Sequence, residues 1–200
     1  MRNIALILLA VAIGAAAEGA EKVPVATAKA IELVQTDGAA AHPLGGDDGA
    51  VVVVIFGSVD CPIANAEIPE VRRIHAKAIE VGAKMFFVHP RRLQPLKAMG
   101  EHAAVRKLKM PVLHDAHHAL VGLLNATTTP EAFVLRRDGD AWTVVYRGLI
   151  DNLYADVGRR RRNASKFFVR DAISAAVART PIEMPVRPPL GCLIERGAPK

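Results

Sequence analysis

The stretch A-V-V-V-V-I-F-G-S-V-D-C-P-I-A-N-A-E-I-P-E-V, Ala50 to Val71, decides the architecture. After Ala50 comes an unbroken run of valine, isoleucine and phenylalanine through Phe56. A strand with one solvated face alternates apolar and polar side chains, so this run predicts a central strand buried on both faces. A short turn leads to Cys61-Pro62. From Pro62 to Val81 the apolar residues Ile63, Ile68, Val71, Ile74 and Ile79 roughly keep helical spacing, and Gly82 supplies a stop. Pro62 suits the first turn of that helix, where a missing N–H costs nothing.

With Pro62 as the first helical residue, Cys61 occupies the N-cap, where unpaired backbone N–H groups and the positive end of the helix dipole stabilise an anion. The thiolate is the nucleophilic form, and such placements lower a cysteine pKa from about 8.5 by one to several units. Asp60 opposes that shift if it points at the sulfur, whereas Ser58 can help by donating a hydrogen bond. The plainer alternative is a buried cysteine that fills space behind a core strand.

Working outward, A-I-E-L-V (Ala30 to Val34) predicts a short edge strand before the Asp37-Gly38 turn, and Gly45 to Gly49 is a flexible break. Downstream, Lys84 to His89 reads as a second buried strand closed by Pro90, and Leu96 to Lys109 as a helix. Met110 to Leu113 is a short strand end and His117 to Asn125 a short helix. Glu131 to Arg137 and Trp142 to Arg147 flank an Asp-Gly turn, a hairpin signal. Ala164 to Ala178 predicts the closing helix, and a Pro-rich tail runs from Pro181 to Lys200. Alternating strands and helices with a late hairpin predict an α/β fold: a central mixed sheet flanked by helices, with the extended tail lying on it.

The 200 residues suit one compact domain. A formal net charge of +6 invites thought of an anionic partner, but the basic residues are dispersed. The one dense run, Arg159 to Arg162, lacks the interleaved aromatics that stack bases, so it reads as a solvated connector and nucleic acid is not expected as a partner. At the N-terminus a basic start, an apolar run from Ile4 to Ile13 and Ala15-Ala16-Ala17 have the layout of a secretory signal peptide; the apolar run is short against the roughly 20 residues of a membrane span. The expectation is a signal segment over 1–17, a domain over 18–180 and a tail over 181–200, periplasmic or secreted, with no stable membrane insertion once the signal is removed. A retained N-terminal anchor is the alternative. An oxidising compartment permits disulfides, and Cys61 and Cys192 are the whole cysteine inventory, too few for a thiolate zinc site and without a C-x-x-C.

The element order resembles the thioredoxin fold, and Phe56 to Val71 resembles the active-site strand, loop and helix of thioredoxin-like proteins. Pro69 follows Cys61 by eight positions, the family's interval between the first active-site cysteine and the helix-kinking proline. S-V-D-C-P is similar to the T-x-x-C-P of peroxiredoxins, with Ser58 in place of threonine. T-T-P-E-A-F-V-L-R-R-D-G, Thr128 to Gly139, resembles the loop whose cis-proline faces the cysteine, which assigns Thr129 and Pro130 to the site. Y-R-G-L-I-D (Tyr146 to Asp151) and P-P-L-G-C-L-I (Pro188 to Ile194) resemble closing parts of a peroxiredoxin-like, redoxin-domain branch. By analogy with the peroxide-activating arginine of peroxiredoxins, Arg147 joins the candidates. Two departures matter: Ala64 stands where a thioredoxin has its second cysteine, which removes a C-x-x-C mechanism, and Asp60 replaces the usual tryptophan.

The resemblance, spanning roughly residues 31–194, implies thiol redox chemistry with Cys61 as nucleophile and no cofactor or metal. The partners would be protein thiols and disulfides, or peroxide, together with an electron-donor protein. Cys192 is then a resolving cysteine or half of a structural disulfide, since an extended tail covers about 3.1 Å per residue and can return to the site. Two other classes stand beside this one: a non-catalytic binding module, and a metal-delivery protein using Cys61 with His114, His117 and His118. For that histidine segment the alternative is local, with Asp115 capping the helix that follows.

Overall fold

The computed structural model describes residues 21–46 and 50–196. The expected signal segment, 1–17, part of the glycine-rich break and the last residues of the tail lie outside them. The chain begins with β1 (Lys22–Pro24) and α1 (Val25–Lys29), followed by β2 (Leu33–Gln35) and β3 (Ala40–Ala41). The decisive stretch forms β4 (Val51–Phe56) and α2 (Pro62–Glu80), and β5 (Lys84–His89), α3 (Leu96–Arg106), β6 (Val112–His114) and α4 (Ala119–Leu124) continue the alternation. Next come β7 (Thr128–Thr129), the hairpin β8 (Glu131–Asp138) and β9 (Ala141–Gly148), then β10 (Tyr154–Asp156), β11 (Arg159–Arg160), α5 (Phe168–Ala178) and β12 (Cys192–Leu193).

Eight strands form one sheet in the order β1-β9-β8-β4-β5-β6-β2-β3. β4, β5 and β6 run parallel, while β8 and β9 are antiparallel, giving the mixed sheet of a thioredoxin fold. All six residues of β4 are buried, and the period of two explains why. Val51, Val53 and Ile55 face a core built with Ile68 and Ile74 of α2 and Ile173 of α5. Val52, Val54 and Phe56 face the other core, with Leu120 and Leu124 of α4 and Trp142 of β9. Each face therefore removes three apolar side chains of this strand from water, at roughly 1.5–3 kcal/mol apiece.

The departures from expectation are local. α3 stops at Arg106 because Lys107 turns left-handed at φ 55°. α5 begins at Phe168, later than Ala164. Arg159 and Arg160, expected in a connector, instead pair with Tyr154 and Asp156 in a small hairpin that turns at Gly158, φ 78°. β1 was not foreseen, being three residues on the sheet edge against β9. Among the described residues no helix is long and apolar enough to cross a membrane.

Candidate active site

β4 delivers the chain to the site. At Gly57 a Cβ would lie 2.0 Å from the Phe87 ring, so only glycine lets the backbone leave the sheet there. Cys61 is the N-cap of α2, with Pro62 as its first residue, and its sulfur accepts a hydrogen bond from Ala64 N at 3.4 Å. The side chain is only 2% exposed. Its thiol donates to the carbonyl of Thr129 at 2.9 Å, and the Thr129–Pro130 peptide bond is cis.

The tail closes over this point. β12 pairs antiparallel with β7, Cys192 opposite Thr129 and Leu193 opposite Thr128, and Ile194 N donates to Thr127 O at 2.9 Å. Two glycines make the path possible. A Cβ on Gly191 would lie 2.1 Å from Thr129 O, and one on Gly148, at φ 122°, would lie 1.6 Å from Arg187 O. Beside Gly148, Arg147 N donates to Pro185 O at 2.8 Å and Arg187 N to Arg147 O at 3.0 Å, so the tail is anchored before it reaches the cysteine.

The two thiols are not bonded to each other, and each shifts the ionisation of the other. Burial pushes the Cys61 thiol up. The hydrogen bonds from the Cys192 thiol, Ala64 N–H, Cys192 N–H and the Thr129 hydroxyl outweigh it and hold Cys61 below the ordinary thiol value. Cys192 moves the other way, raised by burial, by its hydrogen bond to Cys61 and by the charge Cys61 carries when ionised. The pair is thus polarised: one sulfur ionises first and the other stays protonated.

A cleft of about 790 Å³ opens beside the two sulfurs. Ser58 lines it, and its hydroxyl oxygen accepts from Asp60 N at 3.3 Å, leaving the hydroxyl proton available to the cleft. Asp60 is paired with Arg91 from the loop after β5, so its charge is offset where it stands nearest the site. Exposed Leu93 and Leu193 stand on the rim.

Arg147 does not line this cleft. Its guanidinium reaches the fully buried carboxylate of Glu131 at 3.3 Å, Glu21 at 3.6 Å and Asn125 O at 3.0 Å. Glu131 in turn accepts from Thr127 N at 2.7 Å, the Thr127 hydroxyl at 3.1 Å and Thr128 N at 3.2 Å. The expectation of an arginine at the sulfur is therefore corrected: Arg147 braces the loop that carries Thr129 and Pro130. The histidine segment also serves the frame. His114 Nε2 contacts Arg91 O at 2.9 Å and His118 Nε2 contacts Pro90 O at 2.6 Å, while Asp115 accepts from Ala119 N and Val121 N at the start of α4. Among the described residues no three metal-binding side chains come together. Arg91 and the pairing of Glu131 with Arg147 carried no signal in the sequence, because each joins partners that only the folded chain brings near.

The Redoxin family model matches residues 20–156. No curated protein matches the sequence. A hypothetical protein from Sinorhizobium meliloti shares the fold at a TM-score of 0.73 and 20% identity, over 84% of this chain and 92% of its own. A secreted Mycobacterium tuberculosis disulfide oxidoreductase superposes at 0.52 with 20% identity, over 76% of this chain and 96% of its own. The bacterioferritin comigratory protein of Xanthomonas campestris, described for alkyl peroxide reduction, does so at 0.55 with 17% identity, over 80% and 98%. With the family model covering most of the chain and the sheet and helices in that arrangement, the protein belongs to the redoxin family of the thioredoxin fold.

Proposed function

We propose that the protein is an exported thiol–disulfide oxidoreductase in which Cys61 is the nucleophile and Cys192 the resolving thiol. The observation that carries this is the tail strand, which pairs Cys192 with Thr129, the residue whose carbonyl accepts from the Cys61 thiol, while the two thiols are shifted in opposite directions. In the first step the Cys61 thiolate attacks one sulfur of a substrate disulfide. That S–S bond breaks, a mixed disulfide forms, and the departing sulfur takes up a proton. Cys61 then no longer carries charge, which removes the Cys61 contributions that raised Cys192. Cys192 loses its proton and attacks Cys61, releasing the second substrate thiol and leaving a Cys61–Cys192 disulfide. The substrate has gained two electrons, and an electron-donor protein with two thiols returns the pair to the reduced state.

Disulfide exchange is favoured over peroxide reduction by the position of Arg147. Cleaving an O–O bond needs donors for the leaving oxygen. Ser58 and Ala64 N–H are at hand, but Arg147 is committed to Glu131. Export rests on the signal layout at residues 1–17, and the Mycobacterium tuberculosis relative, described as secreted, fits that placement.

Stopped-flow oxidation of the reduced protein by a model disulfide and by hydrogen peroxide, in wild type, Cys61→Ser and Cys192→Ser, tests the proposal. Fast disulfide reaction that needs Cys61, with release of the second thiol slowed in Cys192→Ser, is the expected result. Faster reaction with peroxide would make it a peroxidase. If Cys61 reacts with neither oxidant faster than free cysteine at the same pH, the binding module or metal-delivery class takes its place.

A further inference from the structure

Asn65, one turn into α2, makes a fully matched set of hydrogen bonds at the start of the helix. Its side-chain nitrogen donates to Val59 O at 2.8 Å and to Cys61 O at 3.0 Å. Both amide protons are thereby used on carbonyls that flank the cysteine. Its side-chain oxygen faces Nε2 of His102, from α3, at 2.8 Å. An amide turned the other way would set its oxygen against two carbonyl oxygens, so the arrangement requires a donor on the far side. His102 supplies it. His102 is 7% exposed, and burial, with Arg106 adding to it and Asp60 opposing, holds its pKa below the usual imidazole value. At neutral pH it carries one proton, and Nδ1 has no partner among the described residues, so the hydrogen-bond pattern assigns that proton to Nε2. The ring is held from behind by His89, fully buried, at 5.5 Å between centroids, and by Phe87 at 6.3 Å.

We propose that His102 and Asn65 are positioning residues that tune the reactivity of Cys61. His102 fixes the amide of Asn65, and Asn65 turns the carbonyls of Val59 and Cys61 toward itself. This matters because one carbonyl, Thr129 O, already lies 2.9 Å from the sulfur and favours the thiol over the thiolate. The anion then depends on the donors around it, of which the helix supplies Ala64 N at the long distance of 3.4 Å. A loop free to rotate would lengthen that contact and let further oxygen atoms approach. Nothing in the local pattern around Cys61 marks His102, which lies 37 positions from Asn65.

This inference rests on the proposed role of Cys61. The test is the pH profile of Cys61 alkylation by iodoacetamide on the full mature chain, with the labelled cysteine identified by peptide mass. Asn65→Ala and His102→Leu are expected to raise the midpoint by about one unit, a roughly ten-fold slower rate at a pH below it. His102→Gln, whose amide can still donate to Asn65, should restore most of the rate. Asn65→Ala keeps a strong helix former in α2 and decides the matter if His102→Leu does not fold. A wild-type midpoint below 8.5 that neither Asn65→Ala nor a folded His102→Leu moves overturns the inference and leaves the proposed function standing. A wild-type midpoint at or above about 8.5 removes both.

Discussion

The carboxylate of Asp60 is held by the guanidinium of Arg91, a contact across 31 positions of sequence that joins the turn before Cys61 to the loop after β5. An unpaired carboxylate beside the N-cap would oppose the thiolate that the helix start favours. Arg91→Ala should therefore slow Cys61 alkylation at neutral pH. Both side chains are more than half exposed, so the effect is modest, about two- to three-fold, and raising the salt concentration should shrink it. An unchanged rate at low ionic strength would show that the pair does not act on the sulfur.

Tail geometry gives a second prediction. A Cβ at residue 191 would strike Thr129 O, so Gly191→Val must push β12 away from β7. Peptide mapping after mild oxidation should find Cys61 joined to Cys192 in the wild type. In Gly191→Val the same disulfide should form at least ten times more slowly, with the melting temperature little changed, because the displaced strand residues, Cys192 and Leu193, are exposed. Equal rates in the two proteins would mean that the strand pairing does not bring the thiols together.

Arg147 should matter to the fold rather than to the sulfur. Arg147→Met leaves the carboxylate of Glu131 buried without its counter-charge, and breaking such a pair costs about 3–5 kcal/mol. Denaturant unfolding should show that loss, and adding Glu131→Gln should recover part of it. The midpoint of Cys61 alkylation in the folded fraction should stay where it is; a shift of a full unit would return Arg147 to the active site.

A carboxylate cluster behind α2 sets the pH dependence of stability. Glu67 is 4% exposed, and burial, then the charges of Asp151 and Glu70, push it up to about 8 against the opposition of Arg160. Asp151 is raised as well, burial first. Glu70 is tied to Arg170 at 2.6 Å and Arg73 at 3.1 Å. A group whose folded pKa exceeds its unfolded value stabilises fully below the unfolded value and loses that contribution as pH rises through the folded one. Stability from Glu67 should therefore be complete below about pH 4.5, the ordinary glutamate value, and fall away toward about pH 8. Urea midpoints measured from pH 5 to 9 should decline, and Glu67→Gln should flatten the decline.

Much of this architecture is written locally. The run from Val51 to Phe56 is short, rich in β-branched side chains and without a polar residue, which marks a strand covered on both faces, and Pro62 marks the helix start that makes Cys61 an N-cap. What stayed hidden depends on distance along the chain. Analogy with the peroxide-activating arginine of peroxiredoxins points Arg147 at the sulfur, yet its charge is taken by Glu131, sixteen positions away. His102 lies on α3 in a stretch whose periodicity says only helix; its use appears once Asn65 is beside it. The β10–β11 hairpin escaped notice because Arg159 and Arg160 look like any solvated charge run, and their pairing is fixed by the turn at Gly158.

The anchoring of the tail at Arg147 and Arg187 turns the last segment into a short tether. Cys192 follows Arg187 by five positions, a leash of at most roughly 18 Å. If a large substrate lifts β12 from β7, the second thiol cannot drift further than that, and a short link of this kind holds a group at an effective concentration on the order of millimolar. In the proposed mechanism the resolving step is then independent of protein concentration, and a free thiol in solution must exceed that local level to intercept the mixed disulfide. On the proposed mechanism, cutting the chain between Arg187 and Cys192 would make the mixed disulfide wait for a second molecule.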